Sequence, residues 1–268
     1  MNAKTLITIS VAMLVALGST ALADKGKNPQ SLIVPPQSHF GGKTYAEWVH
    51  QYWLWQASFL GDAEEFPGFD LEGKNIQVNQ DGPVFFLPFS WTSPWTDAPL
   101  DPSAVEQRSA RVPAGAGIFC GINGAHWYNP VGGDPSLGWY PKAPTQDPAQ
   151  FLSDGLEVFA MSQPWANSVE IDGKVIPIDG SVDSPFLTFS AFPLDMPADA
   201  AWRQAEWGAD APLIQDISTF YPFVDMIYMV IIKPLPVGQH TVRIRTMDNW
   251  RNYGLEYFAM DWNITVTP

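Results

Sequence analysis

Four histidines, His39, His50, His126 and His240, are the side chains best suited to ligate a transition metal or to move a proton near neutral pH. None of them forms a close-spaced pair. A three-histidine site assembled by folding stays open, but structural or surface histidines are the default reading, and no metal site or cofactor is expected. Asp62, Glu64, Glu65, Asp70 and Glu72 crowd one stretch whose oxygen density would suit Ca²⁺, yet the regular EF-hand spacing is missing. A solvated acidic loop is the favoured alternative over residues 62–72. Cys120 stands between Phe119 and Gly121 without a basic neighbour, which reads as a buried, inert thiol. The signatures H-E-x-x-H, G-x-S-x-G, C-x-x-C and the P-loop are absent from the chain. "GAGIFCG" lacks the strand before and the helix after that a dinucleotide loop requires.

Aromatic residues among turn-forming residues are the stronger lead. "SWTSPWTD" (90–97) and "HWYNPVGGDPSLGWYP" (126–141) set Trp91, Trp95, Trp127, Trp139 and Tyr140 beside Gly, Pro, Ser and Asp. Flat rings next to short polar groups can stack on sugar faces or hold an apolar ligand. The competing reading is that these loops fold back and seal the ends of the domain. Asp97 and Asp134 lie in the same stretches and would supply an acid/base pair if the chain cleaved a polysaccharide.

These residues need a scaffold, and composition limits what it can be. Residues 1–23 have a positive start at Lys4, an apolar centre "LITISVAMLVAL" and a closing "ALA", the pattern of a secretory signal peptide cut after Ala23. The expected location is therefore secreted or periplasmic, and no later segment has the length of a transmembrane helix. Without Lys4 the balance is 13 basic to 28 acidic residues, a surface that disfavours nucleic acid and suits cations or neutral ligands. A lone cysteine leaves no internal disulfide, so stability must come from a core to which 12 Trp, 16 Phe and 8 Tyr contribute.

Short apolar runs between Gly, Pro and Asp clusters indicate an all-β domain over 41–268, preceded by an extended lead-in over 24–40. A two-layer antiparallel β-sandwich with one helix packed on it is the expected architecture. Strands are expected at 82–89, 224–232, 240–246 and 255–267. Hairpins are expected at Asn123-Gly124 and Asp172-Gly173, where both turn residues tolerate positive φ. Short helical turns fit 147–154 and 197–207.

The helix spans about 44–60. Thr44 and Glu47 form a capping box, which makes Glu47 a capping residue before a catalytic acid, and Gly61 is the expected stop. At 100° per residue Tyr45, Trp48, Tyr52, Trp55 and Phe59 fall within an arc of about 80°. Such a stripe is what a helix on a sheet requires, and the core reading is favoured over a ligand shelf.

"FGGKTYAEWVHQYWLWQ", "QDGPVFFLP", "ARVPAGAGIF", "VEIDGKVI", "SPF" (184–186) and "PLPVGQHTVRIR" occur in this order. Together they resemble a widespread family of secreted bacterial proteins of unknown function. Its members carry a G-K-[ST]-Y-x-E-W Trp-rich helix followed by G-P-V-W-F-L, V-P-A-G and P-L-x-P-G-x-H-T strands. The resemblance implies a secreted β-rich domain and carries over no catalytic residue. Family members usually have cysteines where Ile76 and Ala110 stand here, which implies the loss of a whole disulfide. Leu54 replaces a Gln common in the family's Trp cluster.

Two functions follow as expectations. The first is a secreted or periplasmic, non-catalytic binding or envelope protein with a glycan or small apolar ligand at the Trp-rich loops. The second is an extracellular polysaccharide hydrolase or lyase using carboxylates near those loops.

Overall fold

A computed structural model describes residues 29–70, 73–89, 105–131, 146–161, 166–208, 217–248 and 256–268. Its helices are α1 (Tyr45–Ala57), α2 (Pro148–Met161) and α3 (Ala201–Trp207). Its strands are β1 (Val84–Leu87), β2 (Glu106–Pro113), β3 (Gly117–Pro130), β4 (Ala166–Ile171), β5 (Lys174–Ile178), β6 (Leu187–Asp195), β7 (Thr219–Ile232), β8 (Gly238–Asp248) and β9 (Glu256–Thr267).

The strands form two sheets, in the orders β1-β3-β7-β6 and β2-β9-β8-β4-β5. The fold is β-rich as expected, but it is not purely antiparallel. β1 runs parallel to β3, and β2 runs parallel to β9. Both parallel partners lie far apart in sequence, so no local turn signal could announce them. The "VPAG" stretch carries the chain from one sheet to the other. Ala114 N–H donates to Thr267 O at 2.7 Å and Gly117 N–H to Pro83 O at 2.8 Å, with Gly115 at φ +88°.

One apolar cluster joins residues of both sheets, among them Leu87, Cys120, Val230, Val169, Val242 and Trp262. A second cluster covers the other face of the first sheet and includes α1 and α3. The first sheet is thus buried on both faces, and β7 is almost continuously apolar and buried from Phe223 to Ile232. In the second sheet, β8 alternates as expected: Val242 and Ile244 are buried, while Arg243 and Arg245 turn outward to Glu170 and Asp261.

α1 is the spine of the second cluster. Thr44 and Glu47 make the reciprocal capping box, with Thr44 N–H donating to Glu47 at 2.7 Å. Tyr45, Trp48, Tyr52, Trp55 and Phe59 are all at most 6 % exposed, which excludes a solvent-facing shelf on this helix. Its ring polar atoms have partners as well. Trp48 Nε1 donates to Phe40 O, Trp55 Nε1 to Val78 O and Tyr45 Oη to Val34 O, while Tyr52 Oη accepts from Phe89 N–H. A buried ring with a satisfied N–H or O–H is a packing element. The helix stops at Ala57, three residues short of its expected end, where Ser58 Oγ bonds back to Trp55 O at 2.6 Å. Gly61 lies beyond this stop at φ +105°.

The Asn123-Gly124 hairpin does not form. β3 runs straight through both residues, with Asn123 opposite Tyr228 and Gly124 opposite Ile227 on β7. A bulge at Ile122 takes up the extra residue. Asn123 instead turns into the interior, where its Nδ2 donates to Thr246 Oγ1 at 3.0 Å, linking the sheets. Gly124 is required by close approach: a Cβ there would stand 2.5 Å from Met226 O. The Asp172-Gly173 hairpin does form between β4 and β5, with φ of +48° and +78°. At 148–161 the expected turns extend into a full helix. Its start is as expected, with Asp147 Oδ1 accepting from Gln150 N–H at 2.8 Å.

Two glutamines seal one edge of each sheet. Gln80 Oε1 accepts from Phe86 N–H at 2.9 Å and its Nε2 donates to Phe86 O at 2.9 Å, along the free edge of β1. Gln77, with its amide oriented to match, donates to Arg111 O at 2.8 Å and accepts from Arg111 N–H at 3.0 Å on β2. Each amide imitates a strand on a backbone that would otherwise invite another chain.

Candidate functional site

Of the five expected ligand-binding residues, Trp127 lies within the described residues; Trp91, Trp95, Trp139 and Tyr140 lie outside them, as do Asp97 and Asp134. Trp127 is on β3 and not in a loop, because the strand continues to Pro130. Its half-buried ring packs on α2, where Gly155 makes room: a Cβ there would come within 2.2 Å of Trp127 Cζ3. α2 is thereby brought down onto the sheet.

The concentration of chemistry lies on the opposite face of β3. His126 stands directly across from Asp225 of β7. On its other side it meets Glu206 of α3, Nε2 to Oε1 at 3.4 Å. Tyr128 Oη donates to the same Glu206 oxygen at 3.2 Å. Asp225 accepts from Trp53 Nε1 of α1 at 2.9 Å. Rings enclose the imidazole: Phe223 and Tyr128 stack on it at 5.4 and 5.9 Å, and Trp53 meets it edge-on at 4.7 Å. Trp202 lies 6.1 Å away. Four elements thus converge on one histidine held between two carboxylates.

Burial pushes the Asp225 carboxyl up to about 6 from its ordinary 3.8, against the pull of His126 and of the Trp53 and Met226 N–H groups. For His126, burial opposes protonation, but Glu206 by charge and hydrogen bond, together with Asp225, outweighs it, and its pKa is raised. The two linkages have the same sign. Asp225 binds its proton more tightly in the folded chain, so its contribution is complete below its ordinary value and is lost as pH rises through about 6. The His126 contribution is complete below 6.5 and is lost as pH rises through its higher folded value. Melting temperature is therefore expected to rise as pH is lowered from about 8 to about 5. Thermal melts across that range check this, and His126→Gln should flatten the slope.

Other singled-out ionisable groups lie in structural surroundings. Burial pushes the Cys120 thiol up to about 12, which agrees with an inert thiol. His240 bonds through Nδ1 to Asp172 at 2.7 Å and through Nε2 to Pro236 O at 2.8 Å, tying the β4–β5 turn to the approach to β8. His50 stacks on Phe192 at 4.4 Å, and burial lowers its pKa. In the acidic stretch, Asp70 accepts from Asn75 N–H and Glu65 from Asn75 Nδ2, so part of it is knit into the fold. No group of three His, Cys, Asp or Glu residues suited to a metal ion occurs among the described residues. No helix there is long and apolar enough to cross a membrane.

Alternation along β3 puts His126 and Tyr128 on one face, whereas Glu206 and Asp225 are not among the residues expected from the sequence. That alternation was the available signal. Asp225 within an apolar run, "FVDMIYMVII", was a second one, since a lone carboxylate in a buried strand requires a partner.

Comparison with protein-family models, with curated proteins and with solved structures finds no match to this chain.

Proposed function

We propose that this chain is an exported, non-catalytic binding protein of the bacterial cell envelope, built as a β-sandwich with a buried aromatic helix. Its ligand is a glycan or a small apolar molecule held by Trp91, Trp95, Trp139 and Tyr140. The observation that carries this reading is the parallel pairing of β1 with β3, Leu87 opposite Cys120. The two strands that lead into the Trp-rich stretches run side by side in the same direction. β3 continues ten residues past Cys120, roughly 33 Å. Trp95, eight residues past Leu87, has a reach of up to roughly 26 Å along the same course. Asp225 supports a non-catalytic role for the box: it is 3 % exposed and its carboxylate is engaged by the Trp53 indole.

The test is a glycan and lipid array probed with residues 24–268. Retention of a glycan or lipid without turnover is the expected result; release of cleaved polysaccharide would replace this reading with the hydrolase or lyase.

The resemblance to the secreted Trp-helix family is part of the proposal. Ile76 and Ala110, at the family's cysteine positions, are both buried in the cluster shared by the two sheets. Gln77 bonds to the backbone of Arg111, which lays the two stretches side by side. Ile76→Cys with Ala110→Cys is expected to form a disulfide and to add about 2–4 kcal/mol of stability. Mass spectrometry with and without reductant checks the bond; free thiols at both substituted positions in the folded variant, beside that of Cys120, would count against the resemblance.

A further inference from the structure

We propose that the Glu206–His126 contact is a proton-operated latch that closes the second half of α3 over the aromatic box. The two halves of this seven-residue helix are held differently. Its first turn is fixed by backbone: Ala201 N–H donates to Phe59 O, and Arg203 donates to the carbonyls of Pro197, Met196 and Ile217. Its second turn is joined to the sheet through Glu206, to His126 at 3.4 Å and Tyr128 at 3.2 Å, and through the Trp207 ring, 6.0 Å from that of Tyr128. Gln204, between them, is exposed. Glu206 is also more exposed than the imidazole it meets, its side chain 21 % against 12 % for His126.

The charged and titratable groups around His126 come from each element packed against it. β7 presents Asp225, α3 presents Glu206, and β3 presents Tyr128. α1 presents Trp53, which is neutral, with His50 one layer away on Phe192. Arg203 of α3 is turned to backbone carbonyls and lies over Phe220. Two carboxylates thus face one imidazolium. When His126 gives its proton to water, Glu206 loses its cationic partner and Asp225 is left as a buried anion beside a neutral ring. Both effects favour release of Glu206 into water, which uncovers Tyr128, Trp202 and Trp207. The released surface is aromatic, and the latch opens as pH rises.

Amide hydrogen exchange over residues 201–208, corrected for the intrinsic pH dependence, tests this between about pH 5.5 and pH 9. In the parent, protection in 204–208 should fall at least about threefold as His126 titrates, with 201–203 less affected. Glu206→Gln, a change at a part-exposed helix position, should show low protection in 204–208 already at the acidic end, and no step with pH. His126→Gln should do the same where it folds. Equal protection of the parent and Glu206→Gln at acidic pH would overturn the latch, as would protection in the parent that does not change with pH.

Discussion

Trp48→Ala and Trp55→Ala should each destabilise the fold by about 3–5 kcal/mol and sharply reduce the yield of folded protein. Both rings are at most 4 % exposed, so truncation leaves a cavity that the neighbours cannot refill. Trp55 stacks on Phe86 at 5.6 Å and meets Phe59 edge-on at 5.4 Å; Trp48 lies 6.1 Å from Phe86. Trp55→Ala also removes the indole donor to Val78 O, while after Trp48→Ala the Phe40 carbonyl keeps the Lys43 N–H at 3.1 Å. Chemical denaturation at fixed pH measures the loss. A variant that melted like the parent would mean that these rings are not core.

Gly124→Ala is the second large effect. The added Cβ would meet Met226 O at 2.5 Å and the Ile227 Cα at 3.0 Å, both backbone atoms of the paired strand β7. No side-chain rotation relieves a clash with backbone, so the strands must separate locally, inside a sheet buried on both faces. The cost is expected at the upper end of about 1–3 kcal/mol or beyond it, with weakened protection of the Met226 and Ile227 amides. Gly173→Ala is the control. Nothing lies within 4 Å of that Cβ, and the expected penalty, from φ of +78° alone, is smaller, about 1 kcal/mol. Equal losses at the two sites would return Asn123-Gly124 to the status of a turn.

The contrast between these two Asn/Asp-Gly pairs shows where local reading succeeds. Asp172-Gly173 joins the short strands β4 and β5, and β5 pairs with β4 alone among the described strands, so turn chemistry decides. Asn123-Gly124 sits in a strand whose whole length finds a partner in β7, and the tertiary pairing overrides the turn preference. The capping box of α1 was legible because Thr44 and Glu47 satisfy each other within one turn. The aromatic stripe was legible because helical periodicity is local as well. β2 and β6 had no such signature: one is an edge strand held parallel to β9, the other an edge strand partly covered by α1. The His126 box draws on α1, β3, α3 and β7, with Trp53 and Asp225 172 positions apart. Only the face shared by His126 and Tyr128 could be read in advance, since alternation along one strand needs no knowledge of its neighbours.

The proposed division of labour between a buried aromatic helix and ligand-holding rings in the Trp-rich stretches is the centre of this account. It is tested most directly by Trp91→Ala and Trp139→Ala, each melted alone and titrated with the glycan or lipid that the array retains. The account predicts melting temperatures within a few degrees of the parent, about 1 kcal/mol or less of destabilisation, together with loss of the intrinsic-fluorescence change on ligand addition. Destabilised variants that still gave the full fluorescence response would contradict it, because the loop rings would then be sealing the fold and the ligand would be held elsewhere.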